Sequence, residues 1–303
     1  MKKVLLMVVG VSTMMLGSEI EYGSGSFSMK GGFLGLTEEI STDVTTYSLV
    51  ERHSNVSDFF YGYDVTWYDS DLMKQGEHTY DSLASSGNSL LSNSGSSSLN
   101  IPAVEHRFQG LDVNVRVGYD VIHKDQDNFL GLGLLVGLSV PVLEETSSER
   151  TLSDLNRKES DDSSNDVNFD SKTDIKTYKI GPTITFQKSL NKKVSIYGTG
   201  SYAYQTGEIE NSYADAKYTV DGTFQEYNVG LYFTPFTETY KLGWFSLSPR
   251  LYATLGYKYS KWDVDEMAIN LSGKEMSSSV LDPLATTFSM ESSVGYFGVG
   301  YSF

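Results

Sequence analysis

The chain has no cysteine. That excludes disulfides, thiolate zinc sites, iron–sulfur clusters, a cysteine nucleophile and a lipidated N-terminal Cys. Its four His leave little material for a His-built metal site. Basic residues are scarce as well: 23 Lys+Arg stand against 39 Asp+Glu, for a net charge of −16. A nucleic-acid binder needs a basic face against the phosphates, so that class falls away. Beyond residue 20 no apolar run reaches the roughly 18 residues of a membrane-spanning helix.

The abundant residues are aromatic and small: 21 Tyr, 15 Phe and 28 Gly. At the N-terminus, Met1-Lys2-Lys3 is a short basic segment, and Val4 to Leu16 is mostly apolar. With small Gly17 and Ser18 behind it, the segment reads as a signal peptide over 1–18, too short to span a bilayer as a helix. The mature chain is then 19–303.

That mature chain alternates with period two. Leu111, Val113, Val115, Val117, Tyr119 and Val121 share one parity; Asp112, Asn114, Arg116, Gly118 and Asp120 share the other. Leu130 to Val142 repeats the pattern against Gly131, Gly133, Leu135, Gly137 and Ser139. Leu251, Ala253 and Leu255 oppose Arg250, Tyr252 and Thr254. Alternation over 12 or more residues exceeds the ordinary strand of a soluble sandwich, about 5–6 residues. It fits a transmembrane barrel strand, apolar toward lipid and polar toward the lumen.

Ten strands are predicted, near 22–36, 42–52, 57–70, 106–122, 129–143, 174–188, 193–207, 218–235, 242–262 and 288–303. The second has no clean apolar parity. Without it, 19–54 becomes a periplasmic or plugging segment on an eight-stranded barrel. Connections at 53–56, 123–128, 189–192 and 236–241 are short, whereas 71–105, 144–173, 208–217 and 263–287 are long and acidic. That segregation matches short periplasmic turns and long extracellular loops. Pro182 and Pro249 fall inside predicted strands, where each removes a ladder hydrogen bond, so bulges are expected there. Aromatic girdles are expected from Trp244 and Phe245 at one end of their strand, and from Tyr257, Tyr259 and Trp262 at the other.

The C-terminus reads Phe297, Val299, Tyr301, Phe303 at alternate positions. This resembles the C-terminal signature of Gram-negative outer-membrane β-barrel proteins. The resemblance implies an antiparallel barrel in the outer membrane. It also implies that Phe297, Val299, Tyr301 and Phe303 form the signal read by the barrel-assembly machinery.

The lumen parity holds Lys30, Asp64, Asp112, Arg116, Asp120, Lys179, Glu226, Arg250 and Lys258. A selective pore tends toward one sign of charge. Mixed signs in a narrow barrel instead predict ion pairs that fill the interior, and Gly131, Gly133 and Gly137 read as small residues facing a crowded lumen. No Gly-x-Ser-x-Gly elbow, His-Glu-x-x-His or phosphate-binding glycine loop is present. His78 beside Asp81 reads as a solvated loop His. Asp166-x-Asn168-x-Asp170 begins like a calcium loop, but Ser171 and Thr177 replace its Gly and Glu. The expectation is a non-enzymatic, cofactor-free barrel with outer-membrane lipids as its surroundings and a structural or surface-interaction role. A small-solute channel and, more remotely, a membrane-embedded hydrolase are the alternatives.

Overall fold

The computed structural model describes residues 18–33, 36–56, 58–75, 78–80, 99–101, 104–122, 128–147, 169–211, 216–236, 238–242, 245–271, 274–276 and 288–301. Ten long strands form one antiparallel sheet: β1 (Glu19–Phe33), β2 (Leu36–Val56), β3 (Phe59–Ser70), β4 (Val104–Asp120), β5 (Asn128–Ser147), β6 (Phe169–Asn191), β7 (Val194–Asn211), β8 (Ala216–Phe233), β9 (Leu251–Leu271) and β10 (Phe288–Tyr301). Each pairs with its neighbours in sequence, and β10 pairs with β1, so the sheet closes on itself. A closed barrel satisfies every backbone group without an edge, which is the requirement for strands in hydrocarbon.

The strands are staggered. Following register partners from Glu19 through Val50, Asp64, Asn114, Gly137, Lys179, Gln205, Gly222, Val264 and Phe288 returns to β1 at Gly31, not at Glu19. Such a stagger requires strands tilted by about 35–45° from the barrel axis.

Several expectations about boundaries change. The second strand is present and longer than its weak pattern implied, so the eight-stranded alternative is excluded. The connection expected over 208–217 is mostly strand, because β7 runs to Asn211 and β8 starts at Ala216. The turn expected at 236–241 is longer: a short hairpin, Tyr240–Leu242 with Phe245–Leu247, stands between β8 and β9. Pro249 sits in the turn before β9, where no ladder bond is lost. Pro182 lies within β6, but no bulge forms. Ile180 pairs with Tyr204 and Thr183 with Ser201 in one unbroken register, and the rungs between them are missing. The segment 1–17, most of the loops 71–105, 144–173 and 263–287, and Phe303 lie outside the described residues.

Facing polarity inverts along the strands. On β8, Val229, Leu231 and Phe233 point out and Glu226 and Asn228 point in; further along, Asp221 and Thr223 point out while Val220 and Phe224 are buried inside. On β9, Leu255 and Tyr257 face out and Thr254 and Lys258 face in, then Lys261 and Asp263 face out over buried Trp262 and Val264. In the part nearer the short turns the barrel is apolar outside and charged inside. Toward the long connections it is polar outside and apolar inside, as a soluble barrel is. The first part is built for hydrocarbon and the second for water.

Candidate functional site

Among the described residues, the buried charged side chains converge in the lumen, where they are stacked in layers. Nearest the short turns, Arg52 donates from Nε and Nη2 to the two carboxylate oxygens of Glu19, each at 3.0 Å, and from Nη2 to Glu21 at 2.5 Å. Its guanidinium lies 3.8 Å from the centroid of the Tyr197 ring. Tyr197 and Tyr296 share a hydroxyl–hydroxyl bond of 2.6 Å, and Tyr296 donates to Asn228. The Thr254 hydroxyl donates to Glu19.

The middle layer is an interlocked set of three acids and three bases. Arg116 donates to Asp64 with one nitrogen and to Glu226 with the other. Lys258 reaches the same two acids, Asp64 at 3.0 Å and Glu226 at 3.2 Å. Asn114 donates to Asp64 at 3.1 Å and to Asp112 at 2.7 Å. Lys179 donates to Asp112 at 2.5 Å. All six charged groups are buried, Glu226 completely. Charges this dry are tolerated only when paired and hydrogen-bonded. Asp64, Asp112 and Glu226 also lie close enough together to share a cation. Three protein cations already occupy that space and balance the three carboxylates.

Above it an apolar layer closes the lumen. Phe27 stacks on Phe108 with ring centroids 3.6 Å apart, and Phe224 and Tyr68 pack around Trp262. Met290, Val44, Val264 and Ile175 belong to the same cluster. The two layers are joined. Lys179 Nζ lies 3.8 Å from the Phe224 ring centroid, and Trp262 Nε1–H donates to Ser139, which donates to Asp112. Two cavities in the lumen, one under Trp262 and one beside Ser260 and Thr46, are each about 10 Å³. That is room for about one water.

Of the charges assigned to the lumen from sequence, Asp64, Asp112, Arg116, Lys179, Glu226 and Lys258 come together in this network. Asp120 is buried at the short-turn end and accepts from the Ile122 N–H. Lys30 and Arg250 are corrections. On β1 the odd positions Glu19, Glu21 and Phe27 face in, so Lys30 faces out; it pairs with Glu39 at 3.2 Å, both side chains about half exposed. Arg250 lies in the exposed turn before β9. Trp262, expected in a girdle, faces the lumen. Glu19, Glu21 and Arg52 are lumen charges that the sequence reading missed. Their signal was present in the parity of β2, where Arg52 shares phase with Val44, Thr46, Ser48 and Val50. The four His side chains lie outside those described. On β10, Phe297, Val299 and Tyr301 all take the outward parity, with Phe297 strongly exposed.

The expected crowding at the glycines is present. A Cβ on Gly137 would stand 2.4 Å from Asn114 Oδ1 and 2.9 Å from Lys179 Cε. Gly137→Val is therefore expected to destabilise the barrel by about 1–3 kcal/mol through overpacking. Urea unfolding followed by the shift in gel mobility of the unheated barrel measures it. A change below the error of that assay would show that the lumen has slack.

No protein-family model matches the chain, and no curated protein does. Solved structures do. The outer membrane protease OmpT from Escherichia coli is similar at 9% identity and a TM-score of 0.51, over 95% of this chain and 97% of that one. The translocator domain of the autotransporter NalP from Neisseria meningitidis matches at 8% identity and TM-score 0.36, over 95% and 88%. The attachment invasion locus protein Ail of Yersinia pestis matches at 11% identity and TM-score 0.26, over 95% and 99%. At these identities the likeness to OmpT speaks for the fold alone. Together with the closed ten-stranded sheet and its apolar outer belt, it identifies the fold as a transmembrane β-barrel of the kind found in outer-membrane proteins.

Proposed function

We propose that this protein is a non-conducting, non-enzymatic barrel that serves as a rigid platform in the outer membrane, presenting its acidic long connections to partners outside the cell. The observation that carries this reading is the layered lumen. Arg116 and Lys258 each tie Asp64 to Glu226, and the aromatic layer around Trp262 caps the set. An aqueous pathway would have to break several buried ion pairs and wet an apolar constriction, which is itself a barrier to ions. The same pairing argues against catalysis at this site, since an acid–base catalyst needs a proton-transfer group within reach of substrate. The last-strand residues Phe297, Val299 and Tyr301, with Phe303 beyond them, support recognition by the barrel-assembly machinery during biogenesis.

Single-channel recording in planar bilayers tests the reading. The folded barrel is expected to give no steady conductance, and Asp112→Asn is expected to leave it closed. Discrete, reproducible current steps from the unmodified protein would replace the platform with a channel.

A further inference from the structure

The apolar belt is not level. Because the register trace rises as it passes from β1 toward β10, each step from strand to strand climbs by about one residue, the consequence of strand tilt in a barrel. Traced back from Val140 on β5, the partners are Leu111, Trp67, Tyr47 and then Tyr22 on β1. Those four steps descend by about five residues. Val140 therefore stands level with Ser26 and Ser28.

At that level the two sides of the barrel differ. On β5 the outward residues are Leu138, Val140 and Val142, and on β4 they are Leu111 and then Gln109, the partner of Val142, which donates to Asp69. On β10, β1 and β2 they are Glu291, Ser26, Ser28 and Asp43; Asp43 and Glu291 are the register partners of Ser26 and Ser28. On β9, Lys261 bridges Asp263 at 2.9 Å and lies 3.9 Å from Glu291. One step lower, Ser24, Thr45 and Gly295 still present no apolar side chain. The outward apolar positions on this side end at Tyr22, Tyr47, Tyr259 and Phe297. Carboxylates and an ammonium facing hydrocarbon have neither water nor a polar partner there, and such burial is strongly unfavourable. The boundary between hydrocarbon and headgroups must pass beneath them.

The geometry points to a notch in the outer leaflet along β9, β10, β1 and β2, where lipid headgroups sit lower on the barrel wall and meet the hydroxyls of Ser24, Ser26 and Thr45. The partner is the polar headgroup layer of the membrane, and tyrosines at the notch floor mark its interface with hydrocarbon.

The absence of native cysteine makes the test direct. Ser26→Cys and Val140→Cys are each labelled with a nitrobenzoxadiazole probe and refolded into dioleoylphosphatidylcholine vesicles, with or without brominated acyl chains. The Ser26 probe is expected to lose its fluorescence to aqueous iodide and keep it in brominated lipid; the Val140 probe is expected to do the reverse. The same response from both probes, whether aqueous or lipid, would mean a level belt and overturn the notch. Protection of the Ser26 probe from both quenchers would also overturn it, placing a second barrel against this face. Thr45→Cys and Leu111→Cys, level with each other by the same trace, repeat the comparison if either first variant fails to show the folded gel mobility.

Discussion

Arg116→Met is expected to destabilise the barrel by about 3–5 kcal/mol, the usual cost of removing one partner from a buried ion pair. The reason is what stays behind. Asp64 and Glu226 both bond the guanidinium and are both buried; without it the one cation they share is Lys258, beside the neutral amide of Asn114. Two buried carboxylates against one ammonium leave a net negative charge in a dry interior. The companion Arg116→Met/Glu226→Gln removes one charge of each sign and is expected to recover part of the loss. The coupling between the two positions is then read from a double-mutant cycle. Urea titration of the heat-dependent gel shift measures both. If the lumen held water, the orphaned acids would simply be hydrated, stability would change by less than about 1 kcal/mol, and the platform reading would fail. Arg250, assigned to the lumen from sequence, lies in an exposed turn, and its neutralisation says nothing about the lumen.

Strand number and facing in the middle of the chain were legible because lipid on one side and a packed lumen on the other enforce period two. Six of the nine lumen charges assigned from sequence meet in one network for that reason. The failures share one physical cause. Sequence parity was read as if the outer face were apolar along the whole strand, whereas the outer face turns polar once the strand leaves hydrocarbon. On β1 this happens early: Ser24, Ser26 and Ser28 face out while Phe27 and Met29 lie on the inward parity, so the polar side resembled a lumen face and Lys30 was placed inside. On β2 only Tyr47 and Leu49 give the belt its apolar signal, which is why this strand seemed the weakest and Arg52 went unnoticed. Trp262 was taken for a girdle residue because aromatics mark both an interface and a core. Which charges pair with which was not legible at all. Asp64 and Glu226 are 162 positions apart in sequence, and only the closed sheet brings them to one arginine.

Val115→Arg is expected to cost about 2–4 kcal/mol, the depth-dependent penalty for Arg near the midplane of a barrel's lipid face. Val115 is exposed on the outer wall of β4, paired with outward Val136 on β5 and Tyr63 on β3. It has apolar neighbours above and below in Val113 and Val117, so an arginine there is too far from either interface to reach water. Thr206→Arg is the control. Thr206 is on the outward parity of β7, between Tyr204 and the exposed Glu208, and there the cost is expected to fall to about 0–1 kcal/mol. A third position separates this wall from the lumen. Thr254 is fully buried and donates its hydroxyl to Glu19, so the lumen has no space for a guanidinium beside it. A water-filled lumen would accept Thr254→Arg as a mild change. In the packed lumen it is expected to be as damaging as Val115→Arg, through steric displacement of Glu19 and Arg52 instead of through lipid. Unfolding of the three variants in vesicles of one lipid composition decides between these pictures. Tolerance at Val115 would remove β4 from the membrane. Tolerance at Thr254 with intolerance at Val115 would keep the membrane strand and open the lumen.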